Sequence, residues 1–512
     1  MESNILSILI FFPIILSIPI LFFHKENNLL IKTYAIIISL LTFLISIYLF
    51  LNFRTEITDF QFVEKVQWIK SIRCNYYLGV DGISVLLIML TTFLFPLCIF
   101  ASWNTIKNRI KEYYFLLLLL EGALIGVFCS LDLILFYVFW EFILIPMYFI
   151  IGLWGGEDRI YATLKFFIYT MLGSVLLLIG ILWLGFMASP LYGVFTSDFV
   201  ELAKVSCVQP INKQIILFIF FTLGFLIKVP LFPFHTWLPD AHVQAPTAGS
   251  VILAAILLKM GTYGLIRFSL GLFPAAFEYF SHILSILAII GIIYGALLCI
   301  VQTDMKKLIA YSSVSHLGFV VLGILAVNQE GLQGSVIQMI NHGLSTGALF
   351  LIVGIIYERR HTKLISEFGG IRKVMPSLAA IFLIVSLSSI GLPGLNGFIG
   401  EFLILIGAFT SFNLNNNIYA IIASVGIVLS AVYLLWLYQR VMLGPVVKEE
   451  NKNLKDLSKL EYLSLIPILV FIFWIGVYPN TFLKISEASV KKLVENFESA
   501  KGKIQIDIPK EK

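Results

Sequence analysis

The run Phe225-Leu226-Ile227-Lys228-Val229-Pro230-Leu231-Phe232-Pro233 sets a lysine and then two prolines inside an apolar stretch otherwise long enough to cross a bilayer. A charged lysine at bilayer depth costs about 2.5–3.5 kcal/mol on insertion scales, so such residues persist mainly where they handle ions or protons. Proline removes a backbone donor and crowds the preceding turn, which predicts a broken helix here. Irregular backbone at that depth is tolerated only where it is buried in protein or lines a wet cavity. A second lysine, Lys259, lies in the next apolar stretch, between Ile252 and Gly261.

Outward from this point the composition points the same way. Of 512 residues, 59% are hydrophobic and 13% charged, against about 25% charged in soluble domains. Apolar stretches of about 20 residues recur, the length of a spanning helix rather than of a barrel strand. The expected fold is an all-α polytopic membrane protein with about 14 transmembrane helices. They are placed near 4–23, 33–53, 82–102, 112–130, 132–153, 163–189, 213–229, 247–271, 282–301, 305–327, 332–357, 375–411, 417–442 and 460–480. The first segment lacks a basic flank and a small-residue cleavage site, so it is read as a helix that stays.

Basic residues crowd the loops after odd-numbered spans: Lys107, Arg109 and Lys111; Lys306 and Lys307; Arg359, Arg360, Lys363, Arg372 and Lys373. The positive-inside rule then puts both termini on the outer face. Segment 54–76, with Trp68, Tyr76 and mixed charge, is expected along the outer interface. The net charge of +5 is small and dispersed, which argues against a nucleic-acid partner. The five cysteines are far apart, without zinc or iron–sulfur spacing.

A second break is expected at Gly391-Leu392-Pro393-Gly394-Leu395-Asn396-Gly397. The two breaks fall in spans seven and twelve, each fourth in a block of five. Five is odd, so the second block enters from the opposite side. This predicts two inverted five-helix repeats, 112–272 and 273–445, each containing a broken helix, the arrangement that marks transport sites. Residues 1–111 form three preceding helices, and 446–512 a last transmembrane helix and a polar tail.

The intramembrane ionisable residues are the candidate site. Glu141 lies in Phe139-Trp140-Glu141-Phe142, and an isolated buried carboxylate is costly unless paired. Lys228 is its candidate partner, with a purely structural ion pair as the competing reading. Lys259 suits a proton relay, against snorkelling to the interface. His316, in Tyr311-Ser312-Ser313-Val314-Ser315-His316, and His342 carry imidazoles that can take and give protons, against a role in packing alone. Glu401 follows the second break as the counterpart of Lys228. Glu121 and Lys165 are further intramembrane charges. His235, Asp240 and His242 lack the spacing of a metal site, and a proline-shaped loop is preferred there. No phosphate loop, dinucleotide fingerprint or nucleophile–base pair is apparent.

Together these features resemble the antiporter-like subunits of the membrane arm of respiratory complex I, the proton-translocating NADH:quinone oxidoreductase. The motifs are Phe139-Trp140-Glu141 to Phe149, Lys165-Phe166-Phe167-Ile168-Tyr169-Thr170, Lys228-Val229-Pro230 to Ser250, and Tyr311 to His316. The resemblance covers nearly the whole chain and is closest to the M branch. Related L and N subunits carry a lysine where this chain has Glu401, and L adds a long lateral helix where this chain has a short polar tail. The resemblance implies that Glu141 and Lys228 form the input pair, Lys259 is the central relay, His316 and His342 carry the proton across, and Glu401 is the terminal site. It implies no cofactor on this chain, with NAD, FMN, iron–sulfur clusters and quinone in partner subunits. Implied partners are the antiporter-like L and N neighbours and lipid, in a bacterial inner membrane or, alternatively, the mitochondrial one. The rival function is a Mrp-type cation/proton antiporter subunit, and a third is a non-transporting scaffold.

Overall fold

The computed structural model describes residues 4–506. Among them, thirteen helical segments are long and apolar enough to cross a membrane. Two shorter apolar helices, Pro376–Ile390 and Asn396–Thr410, succeed one another with a break between them. Counted as one interrupted crossing, they bring the expected number to fourteen.

The chain begins with α1 (Ile5–Ser17) and α2 (Asn28–Asn52), then an antiparallel hairpin of β1 (Gln61–Ile69) and β2 (Cys74–Val80). The helices α3 (Gly82–Ser102), α4 (Ile110–Cys129), α5 (Leu133–Phe142), α6 (Leu144–Trp154) and α7 (Arg159–Tyr192) follow. A short α8 (Phe199–Ser206) leads to α9 (Ile211–Lys228) and α10 (Trp237–Gln244), with the chain turning between the last two. The next span contains α11 (Thr247–Ile252) and α12 (Leu258–Gly264), separated and followed by π-helical turns. Then come α13 (Pro274–Val301), α14 (Met305–Ala326), α15 (Gln329–Arg360), α16 (Pro376–Ile390), α17 (Asn396–Thr410), α18 (Ile418–Met442), α19 (Lys459–Val477) and α20 (Asn480–Ile506).

Segment 54–76 is largely the hairpin, with Gln61 opposite Val80 and Lys65 opposite Tyr77. Ion pairs tie it to the loop before α8 and to α8 itself: Lys65–Asp198 at 2.5 Å and Arg73–Glu201 at 3.1 Å. Aspartates cap three helix starts at this end. Asp81, Asp132 and Asp198 each accept two backbone N–H bonds from the first turn of α3, α5 and α8. Those amides have no partner within the helix, so a carboxylate here satisfies both the hydrogen bonds and the dipole.

Residues 480–506, expected as a polar tail, form a helix instead. The apolar Phe482, Ile485, Val490 and Phe497 are buried, at spacings that place them along one face. α20 lies across the hairpin end, where Ser489 Oγ accepts from Gly82 N at 3.0 Å and Lys492 meets Asp59 at 2.5 Å. Segment 235–242 also differs from expectation, because the chain resumes helix at Trp237. Pro239 is tolerated there because first-turn amides need no intrahelical acceptor.

Both breaks have local causes. Pro230 and Pro233 cannot donate to the turn behind them, and α9 stops at Lys228. α16 stops at Gly391, which adopts φ +83°, and Gly394 follows at +92°, conformations that cost glycine little. A third interruption was not expected. Pro146 has no N–H for the Phe142 carbonyl, and α5 gives way to α6 at Ile143, two residues after Glu141.

Candidate functional site

The spans holding Lys259 and His342 are the most enclosed of the bundle, with their apolar windows wholly buried. Lys259 sits on α12 between the two π-helical turns, a local distortion often found at functional sites. Its Nζ donates to the Ala254 carbonyl at 2.7 Å and lies 2.6 Å from His342 Nδ1 on α15. Lys259 thus has an imidazole and a carbonyl as partners, and among the described residues no carboxylate is bonded to it. This ammonium is not snorkelling: the residue is fully buried.

His342 and His316 face each other across α14 and α15 with ring centroids 6.0 Å apart. A cavity of about 10 Å³, lined by both histidines, Gln338, Asn341, Ser345, Ser388 and Ser389, lies at this junction. It is of the size that holds a single water. His316 Nδ1 donates to Glu401 Oε1 at 2.9 Å, and Gln338 Nε2 donates to the same oxygen at 3.2 Å. On the other side of the ring, Nε2 lies 3.2 Å from the Tyr433 hydroxyl and 3.4 Å from Ser389 Oγ. Glu401 Oε2 is buried without a hydrogen-bond partner.

The broken turn supplies the rest of the frame. Asn396 Oδ1 accepts from Ser388 Oγ at 2.5 Å, and the Asn396 carbonyl accepts from Asn341 at 2.7 Å. These bonds join the ends of both half-helices to α15 beside His342. A Cβ placed on Gly391 would come within 2.9 Å of Glu401 Oε2, so the glycine turn is one wall of the carboxylate's pocket. Sequence reasoning reached Glu401, His316, His342 and Lys259. It missed Gln338, Ser388, Ser389, Asn396 and Tyr433 as members of this network, although Gln338 lay one helical turn before His342 and could have signalled it.

Glu141 and Lys228 are related differently. Lys228 is buried at the end of α9, its Nζ 5.2 Å from the Trp140 ring and 5.8 Å from that of Phe166. Glu141 is near enough for its charge to act on Lys228. Yet Lys228 Nζ and Glu141 Oε1 are both buried without a hydrogen-bond partner, so the two are not bonded to each other through those atoms. The helix of Lys259 packs on that of Lys228 through Gly261, whose Cβ position lies 2.7 Å from the Phe225 carbonyl.

Other charges have separate settings. Lys165 pairs with Asp240 at 2.6 Å in a partly exposed position. Glu121 is fully buried, accepts from Ser39 Oγ at 3.1 Å and has a second oxygen without a partner. His235 packs its ring against Phe232 and Tyr294. His235, Asp240 and His242 do not converge: among the described residues no group of three or more His, Cys, Asp or Glu could hold a metal ion.

Comparison with known proteins adds the family. Residues 130–430 match the family described as NADH:quinone oxidoreductase/Mrp antiporter, transmembrane region. Residues 8–127 match the amino terminus of NADH-ubiquinone oxidoreductase chain 4. The chain is 45% identical to NADH-quinone oxidoreductase subunit M of Rickettsia prowazekii, over 97% of this chain and all of that one. It is 44% identical to NADH-ubiquinone oxidoreductase chain 4 of Marchantia polymorpha, over 96% of this chain and 97% of the relative. A chain of respiratory complex I from Thermus thermophilus superposes with a TM-score of 0.85 at 29% identity, covering 97% of this chain and 99% of that one. A chain of the Mrp complex from Dietzia shares the fold, with a TM-score of 0.85 at 17% identity over 98% and 99% of the two chains. This multi-pass membrane chain therefore belongs to the NADH:quinone oxidoreductase/Mrp antiporter family, in the branch of NADH-quinone oxidoreductase subunit M and chain 4.

Proposed function

We propose that this chain is the non-redox, proton-translocating M-type subunit of the membrane arm of an NADH:quinone oxidoreductase in a bacterial inner membrane. Electrons pass from NADH through flavin and iron–sulfur clusters to ubiquinone or menaquinone in other subunits. This chain uses the energy released, flanked by antiporter-like neighbours of the L and N types. With this reading go the two inverted repeats, 112–272 and 273–445, as the units that open alternately to the two faces.

The observation that carries the reading is the buried series Lys259, His342, water-sized cavity, His316 and Glu401, whose members stand at 2.6, 6.0 and 2.9 Å. A histidine accepts a proton on one nitrogen while releasing another from its second, so two imidazoles flanking one water can pass a proton without moving far. Glu141 and Lys228 form the input. Redox-driven movement of the carboxylate changes the field at Lys228, whose ammonium then releases its proton toward Lys259. Glu401 receives the proton from His316 and holds it before release. Moving one charge through 100 mV takes about 2.3 kcal/mol, a change that adding or removing one carboxylate beside a buried ammonium can supply.

The experiment is Lys228→Ala and Glu401→Ala in the assembled complex, with proton pumping followed per NADH oxidised in vesicles. Both variants are expected to assemble and to pump less. Pumping at the normal ratio in both rejects the assignment. A stand-alone cation/proton antiporter is the competing activity, and it predicts purification in mild detergent without flavin or iron–sulfur absorbance.

A further inference from the structure

Glu401 is held by more than His316. Its Oε1 accepts from His316 Nδ1 at 2.9 Å and from Gln338 Nε2 at 3.2 Å, while Oε2 has no hydrogen-bond partner. A carboxylate held by one bond is free to turn. A second donor on the same oxygen fixes both its direction and which of its oxygens faces the imidazole. The approach of α15 to α17 that permits this contact runs through Gly400, whose Cβ position lies 2.8 Å from Gln338 Cβ.

An ionised carboxylate only accepts, so Gln338 can hold it only with its N–H groups. Packing does not choose that orientation, because the amide nitrogen and oxygen are nearly the same size. The choice is made three residues along the same helix. Asn341 Nδ2 donates to Gln338 Oε1 at 3.2 Å, which occupies the amide oxygen and leaves the nitrogen for Glu401. Asn341 is fixed in turn by the break. The same Nδ2 donates to the Asn396 backbone carbonyl at 2.7 Å, an acceptor that cannot be turned round. Asn396 Nδ2 lies 3.5 Å from the Asn341 carbonyl, and Ser388 Oγ donates to Asn396 Oδ1 at 2.5 Å. Gln338, Asn341, Asn396 and Ser388 are all buried, so bulk water does not replace these bonds. Reversing the Asn341 amide would set its Oδ1 against two oxygens and lose two donations. The observed orientation leaves Oδ1 buried without a partner, which is the smaller cost.

We propose that Gln338 is a positioning residue for proton transfer between His316 and Glu401, and that Asn341, anchored on the Asn396 carbonyl at the end of the break, sets the orientation in which Gln338 acts. The proton moves from His316 Nδ1 to the Glu401 carboxylate, and neither amide gains or loses one. The backbone of the broken helix thus fixes the carboxylate through two side-chain amides. A misplacement of about 1 Å between reacting groups can cost about 10²-fold in rate. This inference rests on the proton-translocation reading of the chain.

The test uses the assembled complex in vesicles, with Gln338→Met, Asn341→Leu and the double variant compared with Glu401→Ala and the unmodified protein. Methionine and leucine keep the approximate size of the amides without their polar atoms. Assembly is checked by native-gel mobility, and protons pumped per NADH oxidised are measured by a pH-sensitive dye. The Glu401 carboxyl stretch is read from infrared difference spectra of the NADH-reduced and oxidised complex and assigned by its loss in Glu401→Ala. The expected result is a loss of pumping in Gln338→Met and a smaller loss in Asn341→Leu. The double variant should pump no less than Gln338→Met, because Asn341 acts through Gln338. The carboxyl band should shift in all three. Losses that multiply in the double variant overturn the inference, since the two amides then act independently. Normal pumping or an unshifted band in Gln338→Met overturns it as well. If Gln338→Met does not assemble, Asn341→Leu decides in the same way. If Glu401→Ala pumps normally and loses no band, the translocation reading itself falls, whereas normal pumping in Gln338→Met beside a deficient Glu401→Ala removes this inference alone.

Discussion

The Asp81–Arg267 pair offers a quantitative test of how the hairpin end is held. Arg267 Nη2 lies 2.5 Å from Asp81 Oδ2, and both side chains are nearly inaccessible, at 4% and 6%. Burial raises the cost of the Asp81 charge, but Arg267 and the α3 amides outweigh it and hold the carboxyl below its ordinary range. In Asp81→Asn the cap survives, because asparagine caps as well as aspartate, while Arg267 loses its counter-charge. What remains for the guanidinium is the Tyr263 hydroxyl at 3.3 Å, Ser84 Oγ at 3.5 Å and the rings of Phe60 and Tyr263 at 5.0 and 5.4 Å. Leaving one buried charge unpaired costs about 3–5 kcal/mol, less about 1 kcal/mol recovered from the rings. In Arg267→Met the carboxylate keeps its two backbone donors, Ile83 at 3.2 Å and Ser84 at 3.0 Å, so a loss of about 1–3 kcal/mol is expected. The double variant buries no charge at all and should lose only about 1 kcal/mol. The cycle then gives a coupling of about 2–6 kcal/mol. The assay is a temperature series on the purified complex, resolved on native gels, for the two single variants and the double. If the double variant loses as much as the two singles combined, the desolvation argument is refuted.

Three further outcomes follow from particular contacts. Gly391→Ala puts a Cβ in a φ +83° turn and 2.9 Å from Glu401 Oε2, and should cost about 1–3 kcal/mol while lowering pumping, read as protons per NADH. Glu121→Gln keeps an acceptor for Ser39 Oγ and should leave thermal stability within about 1 kcal/mol, whereas Glu121→Lys should prevent assembly. Asp456 is partly buried. Burial opposes its ionisation, but the amides of Ser377, Leu457 and Leu378 prevail and hold its carboxyl below the usual value. Its contribution is therefore present above about pH 4, the unfolded value, and fades as pH falls through the lower folded value. Asp456→Ala should weaken the start of α16 by about 1 kcal/mol at neutral pH, and the difference from the unmodified protein should shrink in acid.

The reading from residues to structure worked best where the bilayer imposes the rule. A helix must satisfy its own backbone in hydrocarbon, so each apolar run of about 20 residues has one solution, and the fourteen crossings were legible on that ground. The breaks at Pro230 and Gly391 were legible because proline and glycine act on the chain locally. Less was legible where two forces compete over short distances. The hairpin at residues 61–80 alternates poorly and is held by distant partners, Asp198 and Glu201. The helix at 480–506 has many charged residues, and its apolar face matters only because α3 and α15 receive it. The break at Ile143 was missed because Pro146 was read within an uninterrupted span.

Which residues carry charge inside the membrane is a property of the one-dimensional chain: an ionisable side chain in an apolar run is costly wherever the run lies, so Glu141, Lys228, Lys259, His316, His342 and Glu401 stand out before any fold is known. Which of them touch is decided only by the tertiary structure. Lys259 meets His342, and His316 meets Glu401, across more than eighty residues of chain, while Lys228 and Glu141 remain near but unbonded. The reason is that hydrogen bonds are made over about 3 Å, a distance set by helix rotation and crossing, to which the order of residues along a single helix is blind.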